Sequence, residues 1–293
     1  MSEMSSTTIA PDYQWQERSY KLQLSFQQSP LHRAYIAHQY VEYPFHITRP
    51  FYLNPTAPHL ATVYLQSASG GIVQGDRLSL NLQVGPAAAV QFTTQSGTKV
   101  HQMQGRSATQ TTQLVVQAGG YLEYLMDPLI LFPASQLQSS TIAQVADTAT
   151  LILSEAFTSH NPTGDPDPAF DRFESELRIE RSPGKLLVLD RLHLDSQQRG
   201  MGIVGVAAHY KAQASVMVIS DRPQLAERLR DRLTRLQSDH PDLYLGLSTL
   251  PQECGVWIRV LAVDSGPLKR ALQHCWAACR WAVTGYSWVP LRK

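Results

Sequence analysis

Short segments in which apolar and polar residues alternate one by one dominate the chain from Trp15 to Val145, and no helical rhythm interrupts them. Tyr20-Lys21-Leu22-Gln23-Leu24-Ser25-Phe26 and Leu78-Ser79-Leu80-Asn81-Leu82-Gln83-Val84 are the clearest cases, with 113–117 as a shorter apolar run. Period-2 alternation puts one set of side chains on each face of a strand, so each segment needs a core on one side only. Gly70-Gly71, Gly75-Asp76, Gly85-Pro86 and Gly119-Gly120 fall between the segments as turns. Strands at this spacing, without intervening helices, predict a sandwich, barrel or solenoid and exclude βαβ units. No strict internal repeat accompanies the spacing, so a regular repeat array is not expected.

The second half departs from this pattern twice. Residues 160–171 (HNPTGDPDPAFD) concentrate Pro, Asp and Gly and read as a loop. Strands are expected to resume at 176–180 and 186–194, joined by a hairpin at 182–185, and again at 203–220, 244–250 and 256–263. Between the last of these, Leu225, Leu229, Leu233 and Leu236 recur at helical spacing after Asp221 and Pro223, which predicts a helix capped by Asp221. A second helix is expected after Gly266-Pro267, with Leu268, Leu272, Cys275 and Cys279 as its apolar stripe and Gly285 past its end. The expectation is a mainly β fold, α+β by content, made of one β-rich domain over 13–293 with two helices in its C-terminal half and a disordered tail at 1–12.

Composition narrows the partners. Lys and Arg number 25 against 24 Asp and Glu, a net charge of +1, which offers nothing to nucleic acid or an anionic membrane. No apolar run reaches the roughly 18 residues of a membrane span. Residues 1–11 are polar and carry no signal-peptide pattern, and three cysteines confined to the last fifth make no disulfide framework, so a cytoplasmic location is expected.

Chemistry-bearing motifs are scarce. His274, Cys275 and Cys279 form the best local metal cluster, but two cysteines four apart on a helix fit a buried stripe better than a tetrahedral shell. Of the other histidines, His101 and His193 lie in strand-like segments and are read as structural. Gly70-Gly71-Ile72-Val73-Gln74-Gly75-Asp76 lacks the Lys-Ser/Thr pair of a phosphate loop and is followed by a strand, so it is a backbone turn. The unusual residues are acidic: Asp76, Glu123, Asp127 and Glu155 each stand beside apolar, strand-like segments. A buried carboxylate is costly unless paired, hydrogen-bonded or metal-bound, whereas alternation could equally turn each one to solvent.

These same segments carry a resemblance. SGGIVQGDRL at 69–78 resembles the GGxxxGD turn of the UreD/UreH urease accessory proteins, FTTQSGTKV at 92–100 their TTQxxxK strand, and LEYLMDPLI at 122–130 their LEYLPDPxI segment. Arg49-Pro50-Phe51-Tyr52 and the stretch from Gly285 to Lys293 fit in order, so the resemblance spans about 15–293. Met126 stands where the family has proline, Ser159-His160 where it has Gly-Arg, and Asp167-Pro168-Ala169-Phe170 where it has GExF.

The resemblance implies a β-helix-like or layered fold with two helices and a non-catalytic scaffold role. It implies complexes with a UreF-type accessory protein, a UreG-type GTPase and apo-urease, and an internal passage for Ni2+ in transit, with no tightly bound cofactor. Carried over by position, the passage candidates are Asp76, Glu123 and Glu155, then Asp127, with Asp165 or Asp167 replacing the family's acidic residue after 160. Gly70, Gly71, Gly75, Thr94 and Lys99 carry over as structural motif residues, and Tyr286, Trp288, Arg292 and Lys293 as partner contacts. The competing expectation is a β-solenoid or sandwich enzyme acting on carbohydrate with Glu123 and Asp127 as its acid/base pair. Against it, four of the five tryptophans, at 257, 276, 281 and 288, cluster around the second helix instead of forming a sugar platform.

Overall fold

The computed structural model describes residues 18–160, 170–181, 184–195, 207–291 and 293. The tail at 1–12, the candidates Asp165, Asp167 and Arg292, and parts of the loop at 160–171 and of the hairpin at 182–185 lie outside them.

Among the described residues there are seventeen strands: β1 Arg18–Gln28, β2 Ala34–Val41, β3 Phe45–Ile47, β4 Ala61–Ser67, β5 Asp76–Val84, β6 Ala89–Thr94, β7 Thr98–Val100, β8 Ala108–Val116, β9 Tyr121–Leu125, β10 Leu129–Leu131, β11 Gln136–Val145, β12 Thr150–Ser159, β13 Arg172–Arg181, β14 Lys185–Asp195, β15 Ala212–Ile219, β16 Leu243–Thr249 and β17 Gly255–Ala262. Helices α1, Leu225–Asp239, and α2, Ser265–Thr284, flank the last two strands in sequence.

The strands form two sheets. One runs β14-β13-β11-β8-β5-β1-β2; the other runs β16-β17-β15-β12-β9-β6-β4-β3, with β10 beside β12 and β7 beside β10. From β4 to β13 the chain crosses between the sheets at each long strand. As a result β5, β8, β11 and β13 pair in parallel in one sheet and β4, β6, β9 and β12 in the other. This is a solenoid-like winding without a sequence repeat. Burial pattern and turns suffice to set each coil, because each strand needs only an apolar inner row and a tight exit.

The inner faces of the two sheets enclose one core, with Phe26, Phe92, Leu82, Leu114 and Leu151 fully buried in it. The outer face of the ten-stranded sheet is covered by α1 and α2, giving a second core of Leu229, Leu233, Leu272, Cys275 and Cys279 against Ile152, Val216 and Ile258. Under the helices β12 and β15 are therefore buried on both faces, and they read as near-continuous apolar runs for this reason.

Two boundaries differ from expectation. Asp221 does not cap α1: the helix begins at Leu225 after Gln224 in a left-handed turn. Pro223 fits this start better than a helical position, because the ring disfavours helical backbone at the residue before it. Helix α2 begins two residues before Pro267, capped by the Asp264 carboxylate, which accepts from the Ser265 amide at 2.6 Å. Gly285 ends it directly, at φ 77°.

Candidate functional site

The three motif segments of the first half are far apart in sequence and adjacent in space. The turn after Gly70 runs beside β7: the Ile72 amide donates to the Lys99 carbonyl at 2.8 Å and the His101 amide to the Ile72 carbonyl at 2.9 Å. Gly71 has φ 139°, and a Cβ there would lie 2.4 Å from the Lys99 oxygen, so this approach requires glycine. Strand β7 pairs with β10, and a Cβ on Gly97 would lie 2.8 Å from the Pro128 oxygen. Thr94 and Asp127 close the cluster. The Thr94 hydroxyl lies 3.0 Å from the Asp127 carboxylate and accepts from the Asp127 amide at 2.8 Å. Lys99 acts here through its main-chain carbonyl, and the His101 ring sits 3.0 Å from the Gly70 oxygen.

These segments line one end of a cavity of about 400 Å³ between the sheets. Its floor is written in the strand registers. Gln110, Ser139 and Ser175 stand side by side on β8, β11 and β13, and Thr112, Thr141, Leu177 and Asp190 form the neighbouring rung. A polar strip thus crosses the inner face of a sheet that is otherwise apolar there. At the lateral edge Arg259 of β17 bridges the sheets, its Nη2 2.9 and 3.0 Å from the two Asp190 oxygens, while its guanidinium lies 4.2 Å above the Trp257 ring.

Three expected acidic residues meet on this cavity: Asp76, Asp127 and Glu155 all line it. Asp76 is buried and accepts from the Val73 amide at 2.9 Å, which also fixes the GGxxxGD turn. Glu155 projects from β12 and accepts from the hydroxyls of Thr141 at 2.8 Å and Ser175 at 3.2 Å. It keeps some exposure because it opens on the cavity, yet protein surrounds it. Burial therefore pushes its carboxyl above the usual carboxylate range, the two hydroxyls pulling partly back.

Glu123 does not join them. On β9, Leu122 and Tyr124 face the cavity core, so Glu123 faces the helices. There both its oxygens engage Arg280 of α2, Oε1 accepting from Nε at 2.6 Å and Oε2 from Nη2, while the Tyr121 hydroxyl donates to Oε1. The side chains of Arg280 and Glu123 are 2% and 1% exposed. Burial opposes the guanidinium's charge, and the Glu123 carboxylate overrides it to a net upward shift. Glu123, expected as a passage residue, does not line this cavity and forms one half of a buried ion pair. The expectation of a Glu123–Asp127 acid/base pair has no support in this geometry, since Arg280 holds both Glu123 oxygens and the Glu123 side chain has no open approach.

The other expected residues divide. Cys275 and Cys279 are fully buried in the helix stripe, burial pushing the Cys275 thiol up to about 12 and Cys279 well up, so both stay protonated. His274 is exposed, its Nδ1 2.8 Å from the Arg270 carbonyl. Among the described residues no three His, Cys, Asp or Glu gather where one ion could take them all. Gly75 supplies φ 75° before Asp76. Tyr286 is exposed and packs edge-on against His59, whereas Trp288 is partly buried against Trp276 with Arg280 4.4 Å above its ring. Lys293, expected as a partner contact, has its side chain largely covered, with Nζ 2.9 Å from Thr93 Oγ1 and 2.5 Å from Asp127 Oδ2. Arg280, Thr141 and Ser175 were missed in the sequence, where an arginine in a helix and isolated hydroxyls in strands carry no local mark.

Comparison with known proteins agrees with the assembled motifs. A family model described as UreD urease accessory protein matches residues 19–293. A urease accessory protein UreD 1 of Pseudomonas syringae pv. syringae is 36% identical over 262 residues, covering 89% of this chain and 91% of the relative. A UreD 1 of Methylorubrum populi is 38% identical with 81% and 80% covered, and a UreD of Photorhabdus laumondii subsp. laumondii 30% identical with 86% and 79% covered. The motif turns, the two-sheet winding and identity over nearly the whole length converge: this chain belongs to the UreD family of urease accessory proteins.

Proposed function

We propose that the chain is a non-catalytic scaffold of urease maturation, working with a UreF-type accessory protein and a UreG-type GTPase on apo-urease, and that Ni2+ passes through the inter-sheet cavity on its way. The observation that carries this reading is the convergence of three family-motif segments on the rim of a cavity lined by Asp76, Asp127 and Glu155. The donors suit a cation in transit. Carboxylates and hydroxyls bind Ni2+ more loosely than thiolate or imidazole, so an ion can be handed on without being trapped. The polar strip of Gln110, Ser139, Thr141 and Ser175 would let the ion keep part of its water shell.

Co-expression with urease structural subunits and the UreF-type and UreG-type partners tests it, with size-exclusion chromatography for assembly and urease activity for delivery. Asp76→Asn with Glu155→Gln should leave the complex intact and lower activation severalfold. Full activation by that double variant would rule out the passage.

A further inference from the structure

Past α2, Lys293 sits in a place a metal ion would suit. Lys293 reaches the ten-stranded sheet from its helix side, passing Trp276, whose ring centroid is 5.6 Å from Nζ. The ammonium ends between the Thr93 hydroxyl and Asp127 Oδ2. Thr93 donates its own proton to the Leu125 carbonyl at 2.5 Å, so it turns a lone pair towards the ammonium. Asp127 also borders the cavity, which places this one carboxylate on the boundary between the helix layer and the inter-sheet space. Two oxygen donors, one of them anionic, are thus gathered around a positive charge.

We infer that Asp127 and Thr93 form a divalent-cation site at the rim of the cavity, and that the Lys293 ammonium is its built-in, displaceable occupant. The inference rests on the passage reading and adds how entry there is controlled. An ammonium is a point charge on a flexible stem and matches a carboxylate through single contacts, unlike the forked guanidinium that holds Glu123. Burial pulls the Lys293 amine below its ordinary value despite the attraction of Asp127, so this position holds its charge at a cost. Before Lys293 the segment after Gly285 is held by Tyr286 on His59, by the Ser287 carbonyl accepting from Asn54 Nδ2 at 2.8 Å, and by Trp288 packed on Trp276 with Arg280 above its ring. A hydrated divalent ion brings twice the charge to the same oxygens and would expel the lysine, which would close the site again once the ion had moved on.

The test uses the full chain and Ni2+ alone. In wild-type protein, acylation of Lys293 by an amine reagent, read by mass spectrometry, should be slow without metal and rise severalfold with saturating Ni2+. In equilibrium dialysis Lys293→Gln should bind Ni2+ about tenfold more tightly, the factor set by the fraction of time the ammonium holds the site. Asp127→Asn added to Lys293→Gln should abolish that gain. Protection of Lys293 that Ni2+ leaves unchanged, or a Lys293→Gln protein that binds Ni2+ no better than wild type, would overturn the proposal. A failed Lys293 test beside impaired activation in Asp76→Asn/Glu155→Gln would leave the passage standing with Lys293 as an anchor. A successful Lys293 test beside full activation would leave a cation site off the delivery route.

Discussion

Glu123 and Glu155 stand on neighbouring parallel strands of one sheet, and the sheet separates them completely. Glu123 faces the helices, where a guanidinium takes both its oxygens. Glu155 faces the other sheet, where two hydroxyls and the cavity surround it. The helix side is therefore neutralised and locked, a charge pair whose fixed geometry ties α2 to the sheet. The cavity side carries a carboxylate held by two neutral hydroxyls and open to the cavity. Strand alternation thus separates a locked charge pair from an open carboxylate, one residue's difference in parity deciding which side a carboxylate faces.

The largest expected effect breaks the locked side. Arg280→Met leaves Glu123 buried without its counter-ion and should cost roughly 3–5 kcal/mol in urea unfolding, whereas Glu123→Leu with Arg280→Met should recover most of it. A single variant within 1 kcal/mol of wild type would mean the pair is not closed off from water. On the open side, Thr141→Val removes one of two hydroxyl donors to Glu155 and should cost about 1–3 kcal/mol at neutral pH. Activation should fall with it if the strip serves the ion. A stability loss as large as that of Arg280→Met would erase the contrast between the two sides. Cys275→Ala and Cys279→Ala lie in the helix layer and should cost about 1 kcal/mol each while leaving urease activation unchanged. A folded double variant without activation would return the thiols to the metal path.

The contrast also marks what was legible in the sequence. Alternation in Leu78–Val84 and the Leu225, Leu229, Leu233, Leu236 spacing specify their elements locally, because burial on one side is all that each needs. The glycines of the motif turn were legible for the same reason: Gly71 answers a backbone demand that no other residue meets. Parity within β9 already separated Glu123 from Leu122 and Tyr124, yet alternation alone could not tell solvent from a helix layer on the far face. Nothing local pairs residue 123 with 280 or 127 with 293, since those contacts depend on where α2 and the segment after it come to rest. The polar strip was likewise hidden, because Gln110, Ser139 and Ser175 become neighbours only when three coils stack in register.

The smallest effect tests the open side most sharply, through its sign. Burial raises the Glu155 pKa above its unfolded value, so the folded chain favours the neutral carboxyl. The stability that this preference contributes is complete below the ordinary glutamic acid range, near pH 4.3, and is lost as pH rises through the elevated folded value. Glu155→Gln keeps a neutral group of the same shape at every pH. Its Tm should match wild type in acid and exceed it slightly at neutral pH, while urease activation falls. A gain in stability joined to a loss of delivery is what a charge kept for transport predicts. A variant less stable than wild type at neutral pH would make Glu155 a structural group like Glu123, and the two sides of the sheet would no longer differ in kind.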